Sequence, residues 1–217
     1  MQNHVINEIK KNKIIVIVRG VAADRLIPLA QAMYDGGIRL LECTYDASGR
    51  IPNSETAASI ARLAEHFEGK MMIGAGTVLT EEQVRLTHEA GGRFIISPDT
   101  NPDVIRATKA CSLVSIPGAL TPTEAVIAHR AGADFVKLFP IDAHGVGYLK
   151  AISAPLSHIK FLAVGGIDEN NMTDYLAAGA CGVGVGSCIV NKKLIEAGRF
   201  DEITALAKRY TAQLQAD

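Results

Sequence analysis

Lys137 stands inside an apolar run, Asp134-Phe135-Val136-Lys137-Leu138-Phe139-Pro140, where a charge is poorly placed. Side chains alternate along an extended strand, so Phe135, Lys137 and Phe139 share one face and Val136 and Leu138 the other. An ammonium between two aromatic rings loses its water. Burial lowers a lysine pKa, by as much as about 3–5 units in the extreme, and leaves an amine able to attack a carbonyl near neutral pH. A lone lysine in such a run more often snorkels to solvent at a strand end. Glu42 shifts the balance. In Ile38-Arg39-Leu40-Leu41-Glu42-Cys43-Thr44, alternation puts Leu40, Glu42 and Thr44 on one face and Leu41 and Cys43 on the other. Two strands that each carry an ionisable residue near their C-terminal end, opposite an aliphatic pair, point to a site.

The elements that would position this pair follow from periodicity. Short β-branched runs at 14–19, 38–44, 71–74, 93–97, 113–116, 134–138, 160–164 and 182–186 alternate with amphipathic segments at 23–35, 54–66, 81–90, 102–110, 122–130, 146–154, 169–178 and 201–213. Eight such units predict a single (β/α)8 barrel of the TIM type over residues 1–217, with a short N-terminal helix at 3–11 under its floor. An open doubly wound sheet is the main rival, because period alone does not show closure. Gly36-Gly37, Gly91-Gly92, Gly132 and Gly179 end helical segments before strands, while Thr80 and Thr121 read as helix caps.

With 217 residues, 48% hydrophobic and 21% charged, and a net charge of −1, the chain suits a small-molecule ligand. Neither nucleic acid nor an anionic membrane is expected as a partner. The Met1 start lacks a signal-like cationic and apolar pattern, and no run reaches the roughly 20 apolar residues that span a bilayer, so a cytoplasmic location is expected. Cys43, Cys111, Cys181 and Cys188 form no CxxC pair; small buried thiols are the expectation, rather than disulfides or a zinc site.

Ligands of parallel barrels bind at the C-terminal strand ends. There the sequence offers Arg19, Glu42 and Thr44, Thr77, Ser97-Pro98, Pro117-Gly118, Lys137, Gly165-Gly166 and Gly186-Ser187. A carboxylate and a lysine supply acid–base and nucleophilic chemistry, and an arginine with a hydroxyl holds an anion. The glycine-rich stretches after the seventh and eighth runs place bare N–H groups beside helix starts, where barrels hold a phosphate. His4, His66, His88, His129 and His158 fall on helices or the floor, and His144 reads as a solvated loop residue. No metal and no cofactor is therefore expected.

Six stretches together resemble the 2-keto-3-deoxy-6-phosphogluconate / 4-hydroxy-2-oxoglutarate aldolases, lysine-dependent Schiff-base enzymes on a TIM barrel. They are Leu41–Thr44, Gly74–Leu79, Ile96–Pro98, Ile116–Gly118, Lys137–Pro140 and Gly165–Ile167. The resemblance implies a lyase that reversibly cleaves a 2-keto-3-deoxy (phospho)sugar acid or 4-hydroxy-2-oxo acid to pyruvate plus glyceraldehyde 3-phosphate or glyoxylate. By it, Lys137 is the Schiff-base lysine and Glu42 the general acid/base, with Thr77 and Phe139 at the pyruvate end. Arg19, Gly165, Gly166, Gly186 and Ser187 would hold a distal phosphate. A metal-independent homotrimer is also implied.

The sequence departs from the family pattern at one place. Members often carry an arginine four residues after the glutamate to clamp the substrate carboxylate, and Asp46 stands there. The clamp then falls to Thr77, backbone N–H groups or Arg50, unless Arg50 is a solvated loop charge. Asp46 would have to cap its own loop or pair with Arg50, and Asp46→Arg is expected to tighten pyruvate binding. A metal-free phosphosugar isomerase, epimerase or synthase, or a non-catalytic phosphate-binding barrel, remains as an alternative.

Overall fold

The computed structural model describes residues 2–215. Helix α1 (Gln2–Asn12) leads into β1 (Ile14–Val18), and the chain alternates through α2 (Ala23–Asp35), β2 (Leu40–Thr44), α3 (Asn53–His66), β3 (Met72–Gly76), α4 (Glu81–Glu89), β4 (Phe94–Ile96) and α5 (Pro102–Ala110). The second half continues with β5 (Val114–Ile116), β6 (Gly118–Ala119), α6 (Pro122–Arg130), β7 (Val136–Leu138), α7 (Gly145–Ser153), β8 (Phe161–Val164), α8 (Met172–Ala177), β9 (Gly182–Val185), α9 (Lys192–Glu196) and α10 (Phe200–Ala212).

Strands pair in the order β5-β4-β3-β2-β1-β9-β8-β7-β6, and each pairing is parallel. The two ends of this order are halves of one extended segment. Pro117 divides them because it has no N–H for the ladder. Its carbonyl still accepts from the Lys137 N–H at 2.8 Å, while the Ile116 carbonyl accepts from Ser97 at 3.2 Å. The sheet therefore closes into eight staves, the (β/α)8 barrel expected, and the open sheet is ruled out.

Alternation sorts the apolar residues into two cores. Outward residues such as Leu41, Val136 and Leu138 pack under the helices. Inward residues, including Leu40, Phe94, Phe135 and Leu162, fill the lower barrel, where Val5 and Ile9 of α1 close the floor. Thr80 and Thr121 each form a full capping box, with Gln83 and Glu124.

Three expectations shift. The helix expected from residue 169 begins at Met172, because Asp168 and Asn171 exchange side-chain-to-backbone hydrogen bonds that hold 168–171 as a polar turn. Helix α9 was not expected. Of the thiols, Cys43 is buried, but Cys181 is half-buried and Cys188 exposed. Among the described residues no helix is long and apolar enough to cross a membrane.

Candidate active site

Lys137 and Glu42 both enter the barrel from their strands. Lys137 on β7 lies in register between Gly118 and Leu162, and Glu42 on β2 between Ile17 and Gly74. Both are buried, at 8% and 2% exposure, which is exceptional for these residue types. Together with Ile17, Ile96, Ile116 and Val164 they line a cavity of about 10 Å³, roughly the room one water needs. Glu42 Oε2 has no hydrogen-bond partner among the described residues.

This burial decides the protonation of the pair. Desolvation pushes the Glu42 carboxyl up to about 7, against the pull of Lys137 and Arg19. The Lys137 ammonium is driven down by desolvation, which outweighs the support of Glu42. A carboxyl that keeps its proton near neutrality beside an amine inclined to lose one is suited to nucleophilic attack with proton transfer. Lys137 Nζ lies 4.3 Å from the centroid of the Phe139 ring. Phe135, expected on its other flank, packs in the floor cluster instead, with the Lys160 ammonium 5.8 Å from its ring.

Bare strand residues make room for the carboxyl. A Cβ on Gly76 would lie 2.4 Å from Glu42 Oε1, and one on Gly74 would lie 2.4 Å from the Phe94 ring. The next residue, Thr77, adopts φ +56°, a left-handed conformation that a β-branched residue rarely takes and that surrounding structure must enforce. Its Oγ1 accepts from Arg19 Nη2 at 3.1 Å. Arg19 follows β1 directly and Thr77 follows β3, so the first and third staves are joined just past their C-terminal ends.

Arg19, Gly186 and Ser187 also line a cleft of about 640 Å³ with Lys192 and Lys193 of α9. The two lysines escaped the sequence reading because Asn191-Lys192-Lys193 looks like a solvated surface; only the Asn191 cap, accepting from Leu194 N–H, hinted at a helix start. Gly165 and Gly166 turn with φ +109° and +64° against residues 140–142, where a Cβ on Gly166 would lie 2.5 Å from that of Asp142. The Asp46 carboxylate is occupied by its own loop: it accepts from Ser48 N–H and Oγ, and from the N–H groups of Arg50 and Ile51. The Ser48 bonds chiefly hold it below the usual carboxylate range. Arg50 donates through Nε to Ser48 Oγ at 2.9 Å. Among the described residues no group of three His, Cys, Asp or Glu side chains is placed to hold a metal ion.

Comparison with known proteins places these features in company. The family model described as KDPG and KHG aldolase matches residues 5–206. A 2-dehydro-3-deoxy-phosphogluconate aldolase of Haemophilus influenzae is 34% identical over 208 residues, spanning 94% of this chain and 93% of that protein. A 2-dehydro-3-deoxy-6-phosphogalactonate aldolase of Escherichia coli is 36% identical over 196 residues, 90% of each chain. Among solved structures, a KDPG aldolase from Legionella pneumophila, with pyruvate captured at low pH as a covalent carbinolamine intermediate, superposes with a TM-score of 0.84 at 31% identity, covering 96% of this chain and 97% of that one.

Proposed function

The chain belongs to the KDPG and KHG aldolase family, and from that premise we propose that it cleaves a 4-hydroxy-2-keto acid to pyruvate and an aldehyde through an imine on Lys137. The observation that carries this reading is the buried Lys137–Glu42 pair, desolvated together inside the barrel at the middle of β7 and β2 rather than at the strand ends expected. The unprotonated amine adds to the C2 carbonyl, and loss of water leaves a protonated imine. Glu42 donates the proton that the departing hydroxyl needs. Its carboxylate then accepts the C4 hydroxyl proton as the C3–C4 bond breaks, directly or through one water in the small cavity. The bonding electrons move into the imine, giving an enamine and a free aldehyde. Protonation at C3 and hydrolysis return pyruvate and the amine. The iminium is the electron sink, so the step needs no metal.

For the distal end we favour a phosphorylated sugar acid, releasing glyceraldehyde 3-phosphate rather than glyoxylate. Gly186, Ser187, Lys192 and Lys193 supply N–H, hydroxyl and ammonium donors on one cleft, which suits a dianion. Gly165 and Gly166 would add backbone donors. Thr77 and Phe139 would line the pyruvate end. We further propose a homotrimer, as the family resemblance implies, in the cytoplasm, whose reducing conditions suit four unpaired cysteines.

Incubation with pyruvate and borohydride should fix one three-carbon adduct per chain, mapped by mass spectrometry to Lys137. No adduct in the wild type, or one retained in Lys137→Met, would refute the covalent reading and leave the isomerase-like or binding-barrel alternatives.

A further inference from the structure

The left-handed turn at Thr77 has to be held by its surroundings, since a β-branched residue does not keep φ +56° unaided. The bond from Arg19 reaches only its side chain. Val78 anchors the next residue, with a buried side chain and an N–H that donates to the Ile96 carbonyl at 3.2 Å. The two N–H groups after that, of Leu79 and Thr80, both donate to one atom, Gln83 Oε1, at 2.7 and 3.2 Å. A capping box at Thr80 requires only the second of these bonds. Gln83 is the third residue of α4 and is 6% exposed, an unusual burial for its type.

The other polar atoms of Gln83 are also committed. Its Nε2 donates to Asn53 Oδ1 at 3.1 Å, where the long 46–52 loop enters α3. Its backbone carbonyl accepts from the Tyr45 hydroxyl at 3.2 Å, and the Tyr45 N–H donates to the Gly76 carbonyl at 2.9 Å. A closed circuit of hydrogen bonds therefore runs from the end of β2 through Tyr45 and Gln83 to the turn, and back through Gly76, the residue that makes room for Glu42.

Resting on the aldolase reading, we infer that Gln83 is a positioning residue for the pyruvate end of the site: its side-chain amide sets the Thr77 turn, while its backbone carbonyl steadies the end of β2 behind Glu42. The two roles separate by atom. A side-chain substitution frees the turn and leaves the carbonyl in place for Tyr45, so pyruvate binding weakens while the chemistry at Lys137 and Glu42 persists. A residue that only capped α4 would instead affect stability and leave binding untouched.

The test is borohydride trapping of pyruvate, read as the half-saturating pyruvate concentration and the trapping rate at saturation, beside the urea midpoint. Gln83→Met, similar in length and without the amide, should raise the half-saturating concentration roughly fivefold or more and change the saturated rate by less than about twofold. Gln83→Asn, whose amide is one methylene short of Leu79 and Thr80, should shift the same way, and carries the test if the methionine variant does not fold. Gln83→Glu restores an acceptor at the same reach and should return half-saturation to within about twofold of wild type. Thr80→Ala removes the other half of the capping box, so it should lower the urea midpoint and leave half-saturation unchanged. Unchanged half-saturation in both Gln83→Met and Gln83→Asn would overturn the assignment. So would a shift in Thr80→Ala equal to that in Gln83→Met, or a loss confined to the saturated rate. A wild type that traps no pyruvate would instead refute the aldolase reading itself.

Discussion

Glu42→Gln preserves the volume of the side chain and removes its proton transfer, so turnover should fall about 10²-fold or more with the fold intact. A near-normal kcat would move the acid–base role elsewhere. Stability should respond in the opposite sense. The folded protein holds the Glu42 proton up to about pH 7, whereas the unfolded chain releases it near its ordinary value of 4.5. The group's contribution is therefore full below the lower value and is lost as pH rises through the higher one. Glutamine escapes that loss, so Glu42→Gln should gain stability relative to wild type between about pH 5 and pH 8. The ceiling is about 3 kcal/mol for a shift of this size, reduced because Lys137 loses its countercharge. Urea unfolding at both pH values checks the sign; an unchanged difference would mean that the carboxyl is not perturbed. At Asp46 the structure reverses the sequence expectation. Arginine there would strip the acceptor from Ser48, Arg50 and Ile51, so Asp46→Arg should loosen the loop and leave pyruvate binding unimproved, as proteolysis rates and adduct titration would show.

The strand β3 works by what it lacks. Gly76→Ala would drive a methyl into the Glu42 carboxyl, and Gly74→Ala would drive one into the Phe94 ring, each from 2.4 Å. Both should destabilise by about 1–3 kcal/mol as overpacked sites, but only Gly76→Ala should also depress kcat, since only it displaces an acid–base group. Equal kcat losses in the two variants would show a general effect of strain. Helix starts were legible at this scale: Thr80 and Thr121, read as caps from spacing alone, form capping boxes because their partners at the third position are set by local sequence. The late start of α8 was not legible, because Asp and Asn side chains compete locally with the helix they precede.

For the molecule as a whole, α1 closes the barrel floor through Val5 and Ile9. Ile9→Ala should cost about 2–5 kcal/mol by opening a cavity in the inner core, measurable as a lowered urea midpoint without loss of the Lys137 adduct in the folded protein. Loss of the adduct at full folding would mean that the floor also shapes the mouth. Sedimentation equilibrium should return three times the 23.1 kDa chain mass, and a monomer would refute the trimer proposed above. Exhaustive chelation should leave activity intact, since the iminium accepts the electrons; activity restored by added metal would contradict that mechanism.

Strand and helix order, the inward faces of Lys137 and Glu42 and the glycine turns were readable from the chain, because each depends on a period of two or 3.6 residues or on a local backbone demand. Closure was not, because it rests on one extended segment whose Ile116 carbonyl accepts from the Ser97 N–H and whose Pro117 carbonyl accepts from the Lys137 N–H, a junction of three distant segments that no period encodes. Nor were the tether from Arg19 to Thr77, 58 residues apart, and the cleft where Lys192 joins Ser187. Phe135 shows the boundary clearly. Alternation assigned its face correctly, yet the height of its ring in the barrel, on the floor rather than beside the ammonium, depended on neighbours drawn from every stave and from α1. Sequence determines which side of an element a residue serves; only the closed barrel decides what it meets there, because packing sums contacts from parts of the chain that local pattern does not connect.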